Sequence, residues 1–262
     1  MYVVEVSPDF MSTVTDAVHA AVTTWQNRPL EPTYPVVFFD ARRVKIRDDA
    51  TVRSKAVYLA LAIVPDGSRD ILGIWIEQTE GAKSWMKVFA DLKTRGCQDI
   101  LMAITDGLKG MSEALAAIDP TTTLQTCIVH LLRQSLDVAN GTERKPLAAA
   151  LDAFEQGPWG RRFPTVVASW RRAWAHVIPF FAFPPAIRRV IDTTNALESV
   201  HARLRKIIKT RGHFPNDEAA TKLIWLALRN ITAGWWKAAN DWHLAMNQFA
   251  IHHEDRFTVP RT

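Results

Sequence analysis

Residues 192–214 read DTTNALESVHARLRKIIKTRGHF, a segment that predicts a helix from near Asn195, with one glutamate, Glu198, at its start. Apolar residues recur at helical spacing at positions 197, 200, 204 and 207/208, so Glu198, His201 and Arg205 share another face. The other charged side chains of this helix are basic. A carboxylate set among arginines and lysines suits a metal ion next to a polyanion.

Two further acids follow apolar runs that predict strands. The run VVFF (36–39) is followed by Asp40, and the run ILMAIT (100–105) is followed by Asp106. Magnesium prefers hard oxygen ligands, and paired ions activate an attacking water and stabilise a leaving 3′-oxygen. We therefore interpret Asp40, Asp106 and Glu198, two acids at strand ends and one on a late helix, as a candidate divalent-metal site for phosphoryl transfer on DNA.

Each of these acids also has a purely structural interpretation. An Asp after a strand is often only a turn former, and Asp106 with Gly107 is a common turn pair. The segment from Asn195 to Glu198 fits a capping box, with Asn195 as the N-cap. The metal site requires that the three carboxylates converge in space, whereas the structural roles do not.

The charge of the chain favours an acidic partner. The 262 residues carry a net charge of +5, and the pI is near 9.4. Five Lys or Arg and no Asp or Glu occur between Ser199 and Pro215, and arginine pairs recur at 161–162, 171–172 and 188–189. These basic residues either contact a polyanion or form a solvated face.

The composition is that of a globular chain, with 48% hydrophobic and 23% charged residues. The only two cysteines, Cys97 and Cys127, argue against a disulfide framework and favour a reducing cytosol. No signal peptide opens the chain, and the longest apolar run, 56–64, is far shorter than the about 20 residues that span a bilayer. We expect a soluble protein of the cytoplasm.

The hydrophobic periodicity predicts an α/β fold. An antiparallel meander is followed by crossover units, which gives a mixed sheet flanked by helices, and from about residue 131 onward only helices are predicted. The predicted elements are a helix over 8–27, a strand over 36–47, a hairpin of 56–64 and 71–76 about the turn 65–67, a helix from Trp85 to Leu92 closed by Gly96, a strand over 99–105, a helix over 110–118, and a strand, or a strand passing into a helix, over 123–129.

A series of motifs gives this pattern a family. In chain order they are WQNRPL (25–30), YPVVFFDA (34–41), VKIR (44–47), KAVYLAL (55–61), LGIW (72–75), EGAKSW (80–85), TDGLKG (105–110), CIVH (127–130), TTNALE (193–198), KTRGHFP (209–215) and MNQF (246–249). In this unbroken order the chain resembles the mutator-type transposases of bacterial insertion sequences, which have an RNase H-like core and an Asp-Asp-Glu triad.

The resemblance implies roles for particular residues. Asp40, Asp106 and Glu198 would be the catalytic triad and the ligands of two Mg²⁺ or Mn²⁺ ions. Cys127 and His130 would be the Cys-x-x-His element after the second aspartate, with His201 in a further supporting position; from the residues alone, Cys127 and His130 are half of a zinc site or, more simply, a packed pair. Contacts to DNA phosphates are predicted for Lys45, Arg203, Arg205, Lys206, Lys209 and Arg211.

The chain departs from the family pattern at three places. It starts inside the last segment of the N-terminal DNA-binding region, where 8–26 resemble the second helix of a helix-turn-helix. Arg42-Arg43 stands where the family usually has Ile or Leu followed by His. The segment 143–149 runs directly into 151–155, where relatives carry a further helical stretch. These departures predict a truncated copy that binds metal yet transposes poorly.

The resemblance also implies a domain organisation. We predict a remnant of the N-terminal DNA-binding and linker region over 1–33, the first part of an RNase H-like core over 34–131, an all-helical insertion over 132–192, and completion of the core with C-terminal helices over 193–262.

The expected function is DNA transposition by metal-dependent strand cleavage and 3′-hydroxyl transfer. The expected partners are element ends, target DNA and further copies of the chain in a synaptic complex, in a bacterial, nucleoid-associated location. The alternatives are an inactive DNA-binding remnant and a general RNase H-like nuclease.

Overall fold

The computed structural model describes residues 8–126, 155–192, 195–233 and 242–257. These ranges contain five strands and nine helices. The strands are β1 (Thr33–Asp48), β2 (Thr51–Ile63), β3 (Arg69–Glu77), β4 (Asp99–Thr105) and β5 (Thr123–Thr126). The helices are α1 (Pro8–Gln26), α2 (Ala82–Thr94), α3 (Met111–Ile118), α4 (Pro158–Arg162), α5 (Pro164–Ala182), α6 (Pro185–Asp192), α7 (Asn195–Arg211), α8 (Asp217–Thr232) and α9 (Trp242–His252).

The five strands form one mixed sheet in the order β3-β2-β1-β4-β5. β1, β2 and β3 pair as an antiparallel meander, while β4 runs parallel to β1, and β5 runs parallel to β4. A parallel pair needs a crossover connection, and α3 supplies it between β4 and β5. The predicted α/β class, the meander and the mixed sheet are confirmed.

Alternation along β2 divides the interior into two cores, one on each face of the sheet. Val57, Leu59, Leu61 and Ile63 belong to the first core, whereas the intervening side chains, from Ala56 to Ala62, belong to the second. The first core is covered by side chains of α1 and α6 to α9, and the second by α2 and α3. Helices therefore lie on both faces of the sheet, as a sheet that is buried on both sides requires.

The strand predicted over 36–47 is confirmed by β1, but the interpretation of Asp40 as an acid at a strand end was wrong. Asp40 does not end a strand, because β1 continues to Asp48 and pairs with β2 from Val36↔Ile63 to Asp48↔Thr51. The chain reverses through Asp49, which has a φ of 45°. The apolar run does end at Asp40, but the alternation that follows it, with Val44 and Ile46 buried, prolongs the strand.

Helices account for the described part of the second half, as predicted. Within 155–192 the chain forms α4, α5 and α6, and no strand is found there. At the other end of the chain, α1 packs on the first core through Val22 and through Trp25, whose ring lies 6.4 Å from that of Trp225 in α8. Among the described helices, none has both the length and the apolar character needed to cross a membrane.

Candidate active site

Asp40 lies at the point where β1 loses one of its two partner strands. The parallel register pairs Phe38 with Ile104, the last pair between β1 and β4, so Asp40 and Asp106 each come two residues after it. Asp40 is opposite Leu59 of β2, and directly paired residues of antiparallel strands point to the same face. Because Leu59 belongs to the first core, the Asp40 carboxylate is directed to that face of the sheet.

The Asp40 side chain is almost fully enclosed, with 1% of its surface exposed. Its Oδ2 accepts a hydrogen bond from Nε of Arg42 at 3.2 Å. A buried carboxylate is costly unless a cation or hydrogen bonds compensate its charge, and Arg42 supplies both. Arg42 occupies the position at which the sequence departs from the family pattern, so the departure places a guanidinium beside the first candidate acid.

Asp106 is the first residue after β4 and begins a loop with two constrained glycines. Gly107 has a φ of 88°, and its N–H donates to Oγ1 of Thr105 at 3.2 Å. Gly110 has a φ of 79°, and a Cβ on this residue would lie only 2.1 Å from the backbone nitrogen of Ala82 at the start of α2. The left-handed conformation and the close approach together require glycine at position 110, and they fix the loop that carries Asp106.

The Asp106 loop forms one wall of a cleft of about 650 Å³. The end of β5 contributes Leu124 and Thr126, and the opposite wall comes from α5. The α5 residues that line the cleft are Ser169, Arg172, Ala173 and His176. Ser169 and His176 carry no signal in the sequence, and the arginine pair at 171–172 is the one motif that points to this wall.

Glu198 lies in the first turn of α7. Further along this helix, Val200 and Leu204 are buried in the first core, so α7 covers the face of the sheet to which Asp40 points. The side chains of Glu198 and His201 lie outside the described part of the structure, as do residues 127–130 with Cys127 and His130. Their predicted roles, and the role of the triad as a whole, stay predictions.

The donor set suits a hard divalent cation. Asp40, Asp106 and Glu198 offer carboxylate oxygens, the ligand type that Mg²⁺ prefers, and the register of β1 and β4 puts the two aspartates two residues beyond the last strand pair. Among the side chains that the structure describes, which include the two aspartates but not the glutamate, no group of three or more metal-ligating residues occurs. The two aspartates are therefore consistent with part of a metal site whose third ligand comes from α7.

The residues predicted to contact DNA lie on the surface. Lys45 on β1 is exposed, and so are the five basic residues of α7, namely Arg203, Arg205, Lys206, Lys209 and Arg211. Phe214, just after α7, connects that helix to β1. Its N–H donates to the carbonyl of Lys45 at 2.9 Å, and its carbonyl accepts from the N–H of Arg47 at 2.8 Å. The segment after α7 is thus fixed to the part of β1 that extends beyond β4 and carries Lys45 and Arg47.

Comparisons with known proteins extend the resemblance to nearly the full chain. A family model described as "Transposase, Mutator family" matches residues 1–238. The transposase for insertion sequence element ISRM3 of Rhizobium meliloti is 53% identical over 273 residues, which cover 98% of this chain and 68% of the relative. A probable transposase for an insertion sequence element of Corynebacterium diphtheriae is 44% identical over 288 residues, which cover 97% of this chain and 84% of the relative.

Proposed function

The chain belongs to the Mutator family of transposases, and we propose that it is a DNA transposase that cuts strands at the ends of an insertion element and joins the freed 3′-hydroxyl to target DNA. One observation carries the chemical part of this proposal. The parallel register puts Asp40 and Asp106 two residues beyond the last pair of neighbouring strands, and the helix that carries Glu198 in its first turn packs on the same core as Leu59 opposite Asp40. Action on chromosomal DNA implies a cytoplasmic protein that associates with the nucleoid.

We further propose that the sheet and its helices form an RNase H-like core. The support is the order β3-β2-β1-β4-β5, with an antiparallel meander and two parallel strands added at the β1 edge. Helices lie on both faces of this sheet, and α7 follows the helical segment 155–192. In this interpretation, α4 to α6 belong to an insertion that separates the second acid from the third.

In the proposed site, Asp40, Asp106 and Glu198 would hold two Mg²⁺ or Mn²⁺ ions. Such ions, when bound, activate an attacking water or 3′-hydroxyl and stabilise the leaving oxygen. The chain's own part is to orient the ligands: Arg42 fixes the Asp40 carboxylate, and Gly107 with Gly110 fixes the Asp106 loop. Small misplacements of reacting groups are costly, so this rigidity is part of the mechanism.

DNA is held in this proposal by the exposed basic side chains of β1 and α7. Contacts of lysine and arginine with phosphates position a duplex but carry little sequence information, because the phosphate backbone is the same at every base pair. Both strands at both element ends must be held together before they are joined, so we propose a homo-oligomeric synaptic complex.

The experiment is a strand-transfer assay with the full chain, labelled element-end DNA and a supercoiled target plasmid. We expect Mg²⁺-dependent cleavage at the 3′ end of the element and a joined product. Both products should disappear in Asp40→Asn and Asp106→Asn, while Asp255→Asn, which changes an exposed acid of the C-terminal segment, should retain them. The same assay distinguishes the alternatives. Cleavage of any DNA without end dependence or joining would identify a general nuclease, and binding without cleavage would identify a DNA-binding protein.

A further inference from the structure

The cleft beside Asp106 has a second wall that belongs to neither the triad nor the predicted DNA-binding residues. It is formed by α5, which contributes Ser169, Arg172, Ala173 and His176. These positions follow the spacing i, i+3, i+4 and i+7, so they form one stripe along the helix that faces the cleft. The stripe is polar, with a hydroxyl, a guanidinium and an imidazole separated by one small residue.

The electrostatic character of this wall suits an anion. The sequence of α5, PTVVASWRRAWAHVIPFFA, contains two arginines and one histidine and no acidic residue. On the opposite wall, Lys109 lies in the loop that begins with Asp106. That wall also carries the acids Asp106 and Glu113, so the wall formed by α5 is the cationic side of the cleft, facing an acidic one. A phosphate that lies between the α5 wall and a metal ion at Asp106 would contact positive charge on both sides.

The two adjacent arginines of α5 have different surroundings. Arg171 points away from the cleft and pairs with Glu155, to which its Nε donates at 3.0 Å. Arg172 lines the cleft, and within the described residues it makes no ion pair. Adjacent residues of a helix point about 100° apart, which explains why neighbours of the same type face different surroundings.

We propose that Arg172 and His176 bind a phosphodiester of the DNA next to the bond that reacts at Asp106. A guanidinium offers two parallel N–H donors that match a phosphate, and an imidazole offers one more. A cleft of about 650 Å³ is large enough for a nucleotide. The inference rests on the proposed function and adds to it, because the region assigned to the insertion then supplies substrate-binding side chains rather than only spacing.

The test compares Arg172→Ala with Arg171→Ala, a control that removes the same side chain one position earlier. Both arginines are exposed, so neither substitution should unfold the chain, and circular dichroism melting verifies this. Binding of a fluorescein-labelled element-end duplex is measured by anisotropy in Ca²⁺, over a range of salt concentrations. We expect Arg172→Ala to bind about tenfold more weakly. Its log–log salt slope should be smaller by about one phosphate contact.

Further variants separate a contact with phosphate from a general change in the helix. Arg172→Lys should restore part of the affinity, because it keeps the charge but loses the planar fork. His176→Gln, which keeps a donor, should bind more tightly than His176→Ala. In Mg²⁺, Arg172→Ala should raise KM for DNA more than it lowers kcat.

The binding readout distinguishes failure of this inference from failure of the proposed function. Equal affinities and equal salt slopes for Arg171→Ala and Arg172→Ala would overturn the inference, and the transposase proposal would stand if the wild-type chain still joined DNA. A wild-type chain that binds no DNA at low salt would overturn both. If the wild-type chain never cuts DNA but Arg172→Ala still binds DNA more weakly than the wild type does, the phosphate contact is supported and only the catalytic proposal is contradicted.

Discussion

The C-terminal end of the described chain is fixed to the start of β4 by a bidentate ion pair. In Arg256, Nε donates to Oδ2 of Asp99 at 3.0 Å, and Nη2 donates to Oδ1 at 2.5 Å. Nη1 also donates to the carbonyl of Thr121 at 2.8 Å. The hydrogen bond to Asp99 raises the pKa of Arg256, against the opposing effect of burial. One side chain thus holds together segments that are 157 residues apart in sequence.

The partial burial of this pair sets the size of the expected effect. The side chains of Arg256 and Asp99 are 27% and 21% exposed. Exposed ion pairs contribute about 0–1 kcal/mol, whereas disruption of a buried pair costs about 3–5 kcal/mol. With two charge-assisted hydrogen bonds in an intermediate environment, we expect a coupling free energy of about 2 kcal/mol. Arg256→Lys should cost about 1 kcal/mol, because it keeps the charge but loses the fork.

The assay is urea unfolding of the full chain, followed by tryptophan fluorescence. The wild type, Arg256→Ala, Asp99→Ala and the double variant form a thermodynamic cycle that isolates the pair. Arg53→Ala is the matched control, because Arg53 reaches Asp48 only at 4.0 Å and its side chain is 58% exposed. A coupling free energy as small as the destabilisation by Arg53→Ala would contradict this expectation, because it would mean that solvent screens the Arg256–Asp99 pair despite its geometry.

Three further predictions concern the loop, the buried thiol and the basic helix. Gly110→Ala should destabilise the chain and strongly reduce strand cleavage. Gly107→Ala, whose Cβ meets nothing within 4 Å, should cost only about 1–2 kcal/mol of the free energy of unfolding, because of its positive φ. Equal effects of the two substitutions in urea unfolding would contradict the close contact of Gly110 with α2. Burial raises the pKa of the Cys97 thiol to about 12, so iodoacetamide at pH 8 should label this residue only after unfolding. Rapid labelling of the native chain, detected by peptide mass spectrometry, would contradict the burial of this thiol. Replacing the basic residues at positions 203, 205 and 209 by Ala should flatten the salt dependence of DNA binding by about 0.9 per lost phosphate contact, and an unchanged slope would mean that α7 presents only a solvated face.

Much of the fold is predictable from local periodicity. The β2–β3 hairpin follows from the apolar runs on both sides of the turn 65–67. Helix α2 follows from Trp85, Val88, Phe89 and Leu92, all of which are buried. Each of these patterns is complete within one element. The extent of β1 also follows from the sequence, because alternation after residue 40 continues the strand. Asp40 was nevertheless interpreted as a strand-end acid, because the apolar run stops there, while the pairing with β2 on both sides of it is a long-range property.

The candidate site was predictable only in part, for a related reason. Motif resemblance and the acids after apolar runs made Asp40 and Asp106 candidates, and the register puts both two residues beyond the last pair of β1 and β4. The α5 wall could not be read from the sequence, because an arginine pair does not reveal which member faces a cleft. That choice depends on how α5 packs near the ends of β4 and β5, and it separates Arg172 from Arg171.

We propose that Asp40, Asp106 and Glu198 hold the same divalent ions, and metal-directed cleavage of the polypeptide can show whether they do. Fe²⁺ replaces Mg²⁺ in the full chain, ascorbate and peroxide generate hydroxyl radicals at the bound ion, and mass spectrometry maps the cuts. We predict cuts beside all three acids, which excess Mg²⁺ suppresses and Asp106→Asn abolishes. Cuts near Asp40 and Asp106 with none near Glu198, or cuts that persist in Asp106→Asn, would contradict the claim.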